Sequence, residues 1–154
     1  MVVIVIIAIS AAIVIPRLPD TQATTLKNSA RNLASGIRFL NDQAIITKGV
    51  YRLQLNLAEG STRITKLSPT GEELPPDDQF MSRRLIEEGV SIEDVTDPQL
   101  GKVSEGQVDI HFGPGGNRSG ILIHLKGGSR HYTIIAYPSG GKVKVLEGYQ
   151  EVTS

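Results

Sequence analysis

The chain has 154 residues, of which 40% are hydrophobic and 5% aromatic, with 16 basic and 16 acidic side chains and no cysteine. That length suits one domain with an appendage. The lack of cysteine excludes a disulfide framework, thiol catalysis and cysteine-ligated zinc, and the zero net charge is not the strongly basic balance of a nucleic-acid-binding domain.

The charge is nevertheless uneven. Residues 16–49 hold five basic and two acidic side chains, a balance of +3. Residues 72–109 hold eleven acidic side chains against Arg83, Arg84 and Lys102, a balance of −8. Such an excess reads either as a solvated acidic face or as a docking surface for a basic partner.

Residues 1–15, MVVIVIIAISAAIVI, carry no charge, and Ser10 is the only one that is not aliphatic, Ala or Met. As a helix the run is about 22 Å long, short of the roughly 30 Å of a bilayer core. Three readings compete: a signal peptide, a buried strand or helix, and a membrane helix whose beginning is missing. A signal peptide needs a basic region before its apolar core and a small-residue cleavage site after it. Here nothing basic precedes the core, and IVIPRLP is a poor site. A strand of this length exceeds the usual range. The membrane helix is the favoured reading.

Pro16 and Pro19 follow, and proline removes a helical hydrogen bond and clashes with the preceding turn. A kink is expected, because a helical pattern resumes at once. Between residues 21 and 48 the apolar positions Leu26, Ala30, Leu33, Ile37, Leu40 and Ala44 step by three and four, which makes one stripe on a helix. Lys27, Asn28, Arg31, Asn32, Ser35, Arg38, Asn41 and Asp42 cover the other faces. Gly36 weakens the middle by about 1 kcal/mol relative to Ala, and Gly49 is placed to stop the helix.

The period then changes to two. Tyr51, Leu53, Leu55 and Leu57 alternate with Val50, Arg52, Gln54 and Asn56. A second run at 61–67 follows Ala58, Glu59 and Gly60, which predicts a β-hairpin. Residues 68–106 are irregular and rich in breakers such as Pro69, Gly71, Pro75 and Pro76. A short helix is expected at 80–88 and a short strand at 90–95. A long irregular excursion often carries a protein's individual function. The last section reads as a four-stranded antiparallel meander over 108–112, 121–125, 130–137 and 142–146, joined by glycine-rich turns. Residues 148–154 show no clear element.

Candidate chemistry is thin. The turn at 113–120 lacks the GK[ST] ending of a phosphate loop and joins two strands instead of opening a helix, so it reads as a hairpin turn. Of His111, His124 and His131, two could face each other across the turn at 126–129, but a pair with no third ligand and no metal-site spacing is not a metal site, and all three read as exposed strand residues. No nucleophile elbow or HExxH motif is present. The paired acids Glu72 and Glu73, Asp77 and Asp78, and Glu87 and Glu88 read as solvated. The expectation is not an enzyme, with no cofactor and no metal.

This order of elements resembles the type IV pilin and type II secretion pseudopilin family. The segment VVIVIIAISAAIVIPRL at 2–18 is similar to the family's N-terminal helix, including Pro16. The C-terminal segments VDIHFGPGGNRSGILIHL and HYTIIAYPSGGKVKV are similar to the minor pseudopilins called general secretion pathway protein H. There a strand ending in F-x-P-x-G leads into a turn, matched by Phe112, Gly113, Pro114, Gly115 and Gly116. A later S/T-G-x-V hairpin is matched by residues 139–143. The basic leader, peptidase cleavage site and following acidic residue of the family are absent before Val2.

The resemblance implies an α+β, pilin-like fold: a long N-terminal helix with a hydrophobic first half, packed on an antiparallel β-sheet head. Residues 1–18 would be the transmembrane and filament-core segment. Residues 19–154 would be a periplasmic head, with the amphipathic half of the helix at 20–48 and the β-rich part at 50–147. Val2, Val3, Ile4, Val5, Ile6, Ile7, Ile9, Ile13, Val14 and Ile15 would lie in the inner membrane and later in the filament core. Pro16 would bend the helix, and Leu26, Ala30, Leu33, Ile37, Leu40 and Ala44 would fasten it to the sheet. The implied role is a structural minor subunit of a type II secretion or type IV pilus filament taking part in protein secretion. Its implied partners are other pseudopilins or pilins, the inner membrane and, if an upstream leader exists, the prepilin peptidase, which cleaves and methylates. No nucleic acid is expected. The alternatives are a DNA-binding minor pilin for DNA uptake, kept open by Arg118, Lys126, Arg130, Lys142 and Lys144, and a membrane-tethered domain that does not assemble.

Overall fold

A computed structural model of the chain describes residues 21–75, 79–117, 119–138 and 141–151. The apolar run and Pro16 lie outside the described residues. Helix α1 spans Thr21–Thr47, and among the described residues nine short strands follow, together with one turn of 3-10 helix at Gln79–Ser82. The strands are β1 Val50–Asn56, β2 Ser61–Leu67, β3 Glu73–Leu74, β4 Ser91–Asp97, β5 Gly101–Val103, β6 Gln107–Phe112, β7 Ile121–Gly127, β8 Arg130–Ala136 and β9 Val143–Glu147.

The strands form two antiparallel sheets, ordered β3-β2-β1-β6 and β5-β4-β7-β8-β9. Helix α1 packs chiefly on β7, β8 and β9 and reaches β1 and β6 at its side. One hydrophobic core fills the space between helix and sheets. All six stripe residues, from Leu26 to Ala44, are 3% exposed or less. Burying a Leu or Ile fully is worth about 1.5–3 kcal/mol, so the stripe is the main bond between the helix and the rest.

The 50–67 hairpin forms in the register its alternation predicts. Val50 pairs with Leu67 and Asn56 with Ser61. Gly60 adopts φ 64° at the turn, and the Asn56 side chain accepts the Glu59 amide at 3.1 Å. Tyr51, Leu53 and Leu55 then stand opposite Phe112, Ile110 and Val108 of β6. Those three cross-strand pairs put six buried side chains on one face, which is the unit by which sheets are stabilised.

Three expectations need correction. The C-terminal meander is not four strands of one sheet: β6 pairs with β1 in the first sheet, and only β7, β8 and β9 continue as a meander. The turn at 113–120 is therefore a crossover between sheets. It closes a tight turn of its own, with Gly116 N–H donating to the Gly113 carbonyl at 2.8 Å, and this redirects the chain before β7. The second correction concerns the helix end. Lys48, not Gly49, takes the left-handed position at φ 54°, so Gly49 already belongs to the approach to β1. The third concerns 80–88, which holds only the end of the 3-10 turn. Beyond it Leu85 and Ile86 turn inward, 3% and 1% exposed, and join the core, Leu85 against the middle of the helix. A Cβ on Gly36 would sit 2.9 Å from Leu85 Cδ1, so the glycine that weakens the helix also makes room for this plug. The Glu87 amide is held by Ser29 Oγ at 3.0 Å.

Candidate functional site

The expected site residues fall in two groups, of which the structure describes one. Leu26, Ala30, Leu33, Ile37, Leu40 and Ala44 lie together in the core. Leu26 meets Gly127 so closely that a Cβ there would be 3.1 Å from Leu26 Cβ. The residues expected to form the membrane and filament-core segment, Val2 to Ile15, and the expected bend at Pro16 lie outside the described residues. No helix among the described residues is long and apolar enough to cross a membrane.

Asn41, on a polar face by its spacing, is only 2% exposed. Its Oδ1 accepts the buried Asn117 amide at 3.0 Å. A Cβ on Gly116 would lie 2.9 Å from Asn41 Oδ1, and one on Gly141 would lie 2.7 Å from Asn41 Nδ2. The side chain thus ties the sheet-to-sheet crossover to the last helical turns and lies close against Gly141 in the β8–β9 turn. Arg38, one turn earlier, donates to the Val143 carbonyl.

The acidic excursion is largely used within the chain. Glu73 pairs with Arg52, Arg84 with Glu88 and Glu93 with His131. Asp97 Oδ1 accepts the amides of Gln99 and Leu100 and shapes the β4–β5 turn. Moreover, β4 is an inner strand of the second sheet, so this stretch is framework as well as surface. Glu72, Glu87 and Glu105 remain outward or half-buried.

The histidines separate. His111 is exposed and His131 half-buried, but His124 is 1% exposed, against expectation. Facing partners across the β7–β8 turn are Lys126 with His131 and His124 with Thr133, so the two histidines are not paired. The reason for the burial is the C-terminal tail, which folds back over this face. Tyr149 stacks on the His124 ring at 3.7 Å between centroids, and its hydroxyl donates to Asp94 Oδ2 at 2.7 Å. Lys102 lies 3.9 Å from both Asp94 and Glu151 and 5.3 Å from the Tyr149 ring centroid. The Tyr149 hydroxyl, followed by the carboxylates of Asp94 and Glu151, raises Lys102 against the opposing cost of desolvation. For Tyr149, Lys102 favours the phenolate, yet burial and the hydrogen bond to Asp94 prevail and hold the phenol above its usual value. Asp94, Lys102, Thr133 and Tyr149 had no sequence signal as a group. A lone aromatic in a polar tail was the one available clue.

A cleft of about 390 Å³ lies between the β4–β5 turn, β6 and the crossover, lined by Asp97, Leu100, Asp109, His111 and Pro114 among others. No group of three or more His, Asp or Glu suited to a metal occurs among the described residues. Among the described residues the arrangement offers packing and a tail clasp.

No protein-family model matches the chain, and no curated protein does. Among solved structures, the minor pseudopilin EpsH from the type 2 secretion system of Vibrio cholerae superposes with a TM-score of 0.60, covering 79% of this chain and 96% of that one at 14% identity. The chain shares the fold of a minor pseudopilin. At that identity the agreement is one of architecture, an α+β head with its helix laid on antiparallel sheets, and it holds although few side chains are the same.

Proposed function

We propose that the chain is a minor pseudopilin, a non-catalytic structural subunit of a type II secretion filament or a related type IV pilus. The observation that carries this reading is the fold likeness to EpsH over 96% of that protein, with an uncharged run of fifteen residues shortly before α1. On this reading residues 1–18 anchor the protein in the inner membrane before assembly and then enter the filament core, with Pro16 as the bend. Residues 19–154 form a head on the periplasmic side, and other pseudopilins are its partners. The stripe on α1 fastens the helix to the sheet of the head. The acidic residues left outward in the excursion serve partner choice, because complementary charge acts on specificity and encounter more than on raw affinity.

The test is a strain lacking the chain, complemented with the full-length protein or with residues 1–18 deleted. Restored protein export by the full-length chain, its recovery in the inner membrane, and loss of both on deletion are expected. A full-length chain in the aqueous fraction, or export unchanged by its loss, would refute the proposal. Mass spectrometry of the mature N-terminus adds whether the protein is cleaved and methylated. A salt-sensitive gel shift with DNA would instead favour the DNA-uptake alternative.

A further inference from the structure

Among the described residues the two sheets end in four edge strands, β3, β6, β5 and β9, and these are not alike. β3 has two residues and β5 three, and shortness is one way that proteins blunt an edge. β9 carries Lys144 and gives its Val143 carbonyl to Arg38. β6 is the long one, with six residues in unbroken register against β1.

The pairing decides which groups of β6 face outward. The Leu57 amide donates to the Gly106 carbonyl at 2.9 Å. That pair continues the register in which Asn56 stands opposite Gln107. Bonded and unbonded pairs alternate along an antiparallel ladder. Val108, Ile110 and Phe112 therefore bond to β1, while Gln107, Asp109 and His111 turn their amides and carbonyls away from it. Each of the three presents one donor and one acceptor, and none of these groups has a backbone partner among the described residues.

The cleft of about 390 Å³ lies along this free side, between β6 and the β4–β5 turn. Asp109 and His111 line it from β6, and Asp97 and Leu100 from the turn. Leu100 is 63% exposed, a large apolar side chain with no cover of its own. Asp97 and Asp109 both belong to the acidic stretch at 72–109, and the described lining residues include no Lys or Arg to offset them.

We propose that this cleft receives an extended segment of another protein, which adds to β6 as a further strand and sets a lysine or arginine against Asp97 and Asp109. In strand addition the main chain supplies affinity, and alternate side chains supply specificity. The segment is therefore basic and apolar by turns, with a cation for the two carboxylates and an apolar side chain for Leu100. The inference goes beyond the filament reading and does not need it, because the edge, the carboxylates and Leu100 all belong to the head. An export assay and a binding assay thus fail separately.

The experiment selects a phage-displayed library of random linear peptides on the full-length protein in detergent micelles, and the enriched peptide is then synthesised. Asp109→Pro is the comparison, since proline there removes an outward amide and spares the bonds to β1. The peptide is expected to carry Lys or Arg among β-branched residues and to bind wild type at least about fivefold more tightly than Asp109→Pro. Asp97→Asn with Asp109→Asn should weaken binding and lower its salt sensitivity. Amide exchange followed by NMR should show new protection at Gln107, Asp109 and His111 on binding, and little change at Val108 and Ile110. Should Asp109→Pro fail to fold, methylation of the peptide's own backbone nitrogens replaces it: one alternate set should cost at least about fivefold in affinity and the other should cost little. No enriched peptide, equal binding to Asp109→Pro, equal binding after both carboxylates are neutralised, or protection that misses the alternate amides of β6 would overturn the proposal.

Discussion

Replacing Asn41 by alanine tests whether one helical side chain holds the crossover between the sheets. Asn41 Oδ1 is the acceptor of the Asn117 amide, and both residues are buried, at 2% and 6% exposure. Losing the acceptor leaves a buried N–H without a partner, at a cost of about 1–3 kcal/mol. Alanine returns about 0.7 kcal/mol in helix propensity, so the net loss is about 0.3–2.3 kcal/mol. In a chain of this size each kcal/mol lowers the melting temperature by about 2–4 °C, which gives a fall of about 1–9 °C. Thermal unfolding of the full-length protein in micelles, followed by circular dichroism, reads this directly. Asn32→Ala is the control: Asn32 is on the same helix but exposed, and its replacement should leave the melting temperature level or slightly raised. Equal melting temperatures for wild type and Asn41→Ala would refute the clamp.

Other expectations follow from single contacts. Leu33→Ala, at a side chain with no exposure, should destabilise by about 2–5 kcal/mol, measured as a urea midpoint shift at constant slope. Gly127→Ala puts a Cβ 3.1 Å from that of Leu26 and should cost about 1–3 kcal/mol by overpacking; an unchanged midpoint would show that helix and strand part freely. Tyr149 and Lys102 both titrate above their usual values. The unfolded chain therefore loses these protons first, and their contribution is present below about pH 10 and lost as the pH rises through the folded-state titrations. Absorbance at the phenolate band, with Tyr149→Phe subtracted, should show Tyr149 ionising later than a free tyrosine, and Asp94→Asn should bring it earlier. Glutamine at both Glu87 and Glu88 should weaken binding to a neighbouring pseudopilin in surface plasmon resonance; unchanged binding would remove those two acids from partner choice.

The helix and the first hairpin were legible because each is written in a local period: threes and fours from Leu26 to Ala44, twos from Tyr51 to Leu57. Period two shows that a strand exists, but not which strand it joins. The alternation of β6 looks like that of β7, and nothing local reveals that Phe112 stands opposite Tyr51. Period two also misled at His124, which follows the inward Ile123 and so should face water. Its cover is supplied by residues 148–151, a segment with no period at all. Asn41 was lost for a similar reason, since an asparagine on a helix looks solvated until a distant loop arrives to donate to it. What sequence hid were pairings between segments far apart in the chain.

That separation governs how the molecule comes into being. Arg38 finds its carbonyl at Val143, 105 residues later, and the stripe on α1 rests mainly on β7, β8 and β9, the last strands made. Until those strands exist the helix has little to lie on, and its oily side faces outward through most of synthesis. Topologies dominated by such distant contacts fold in milliseconds to seconds rather than microseconds. A nascent subunit is thus sticky for a time set by its own C-terminus, and truncation of the final strands should produce aggregation rather than a shortened head.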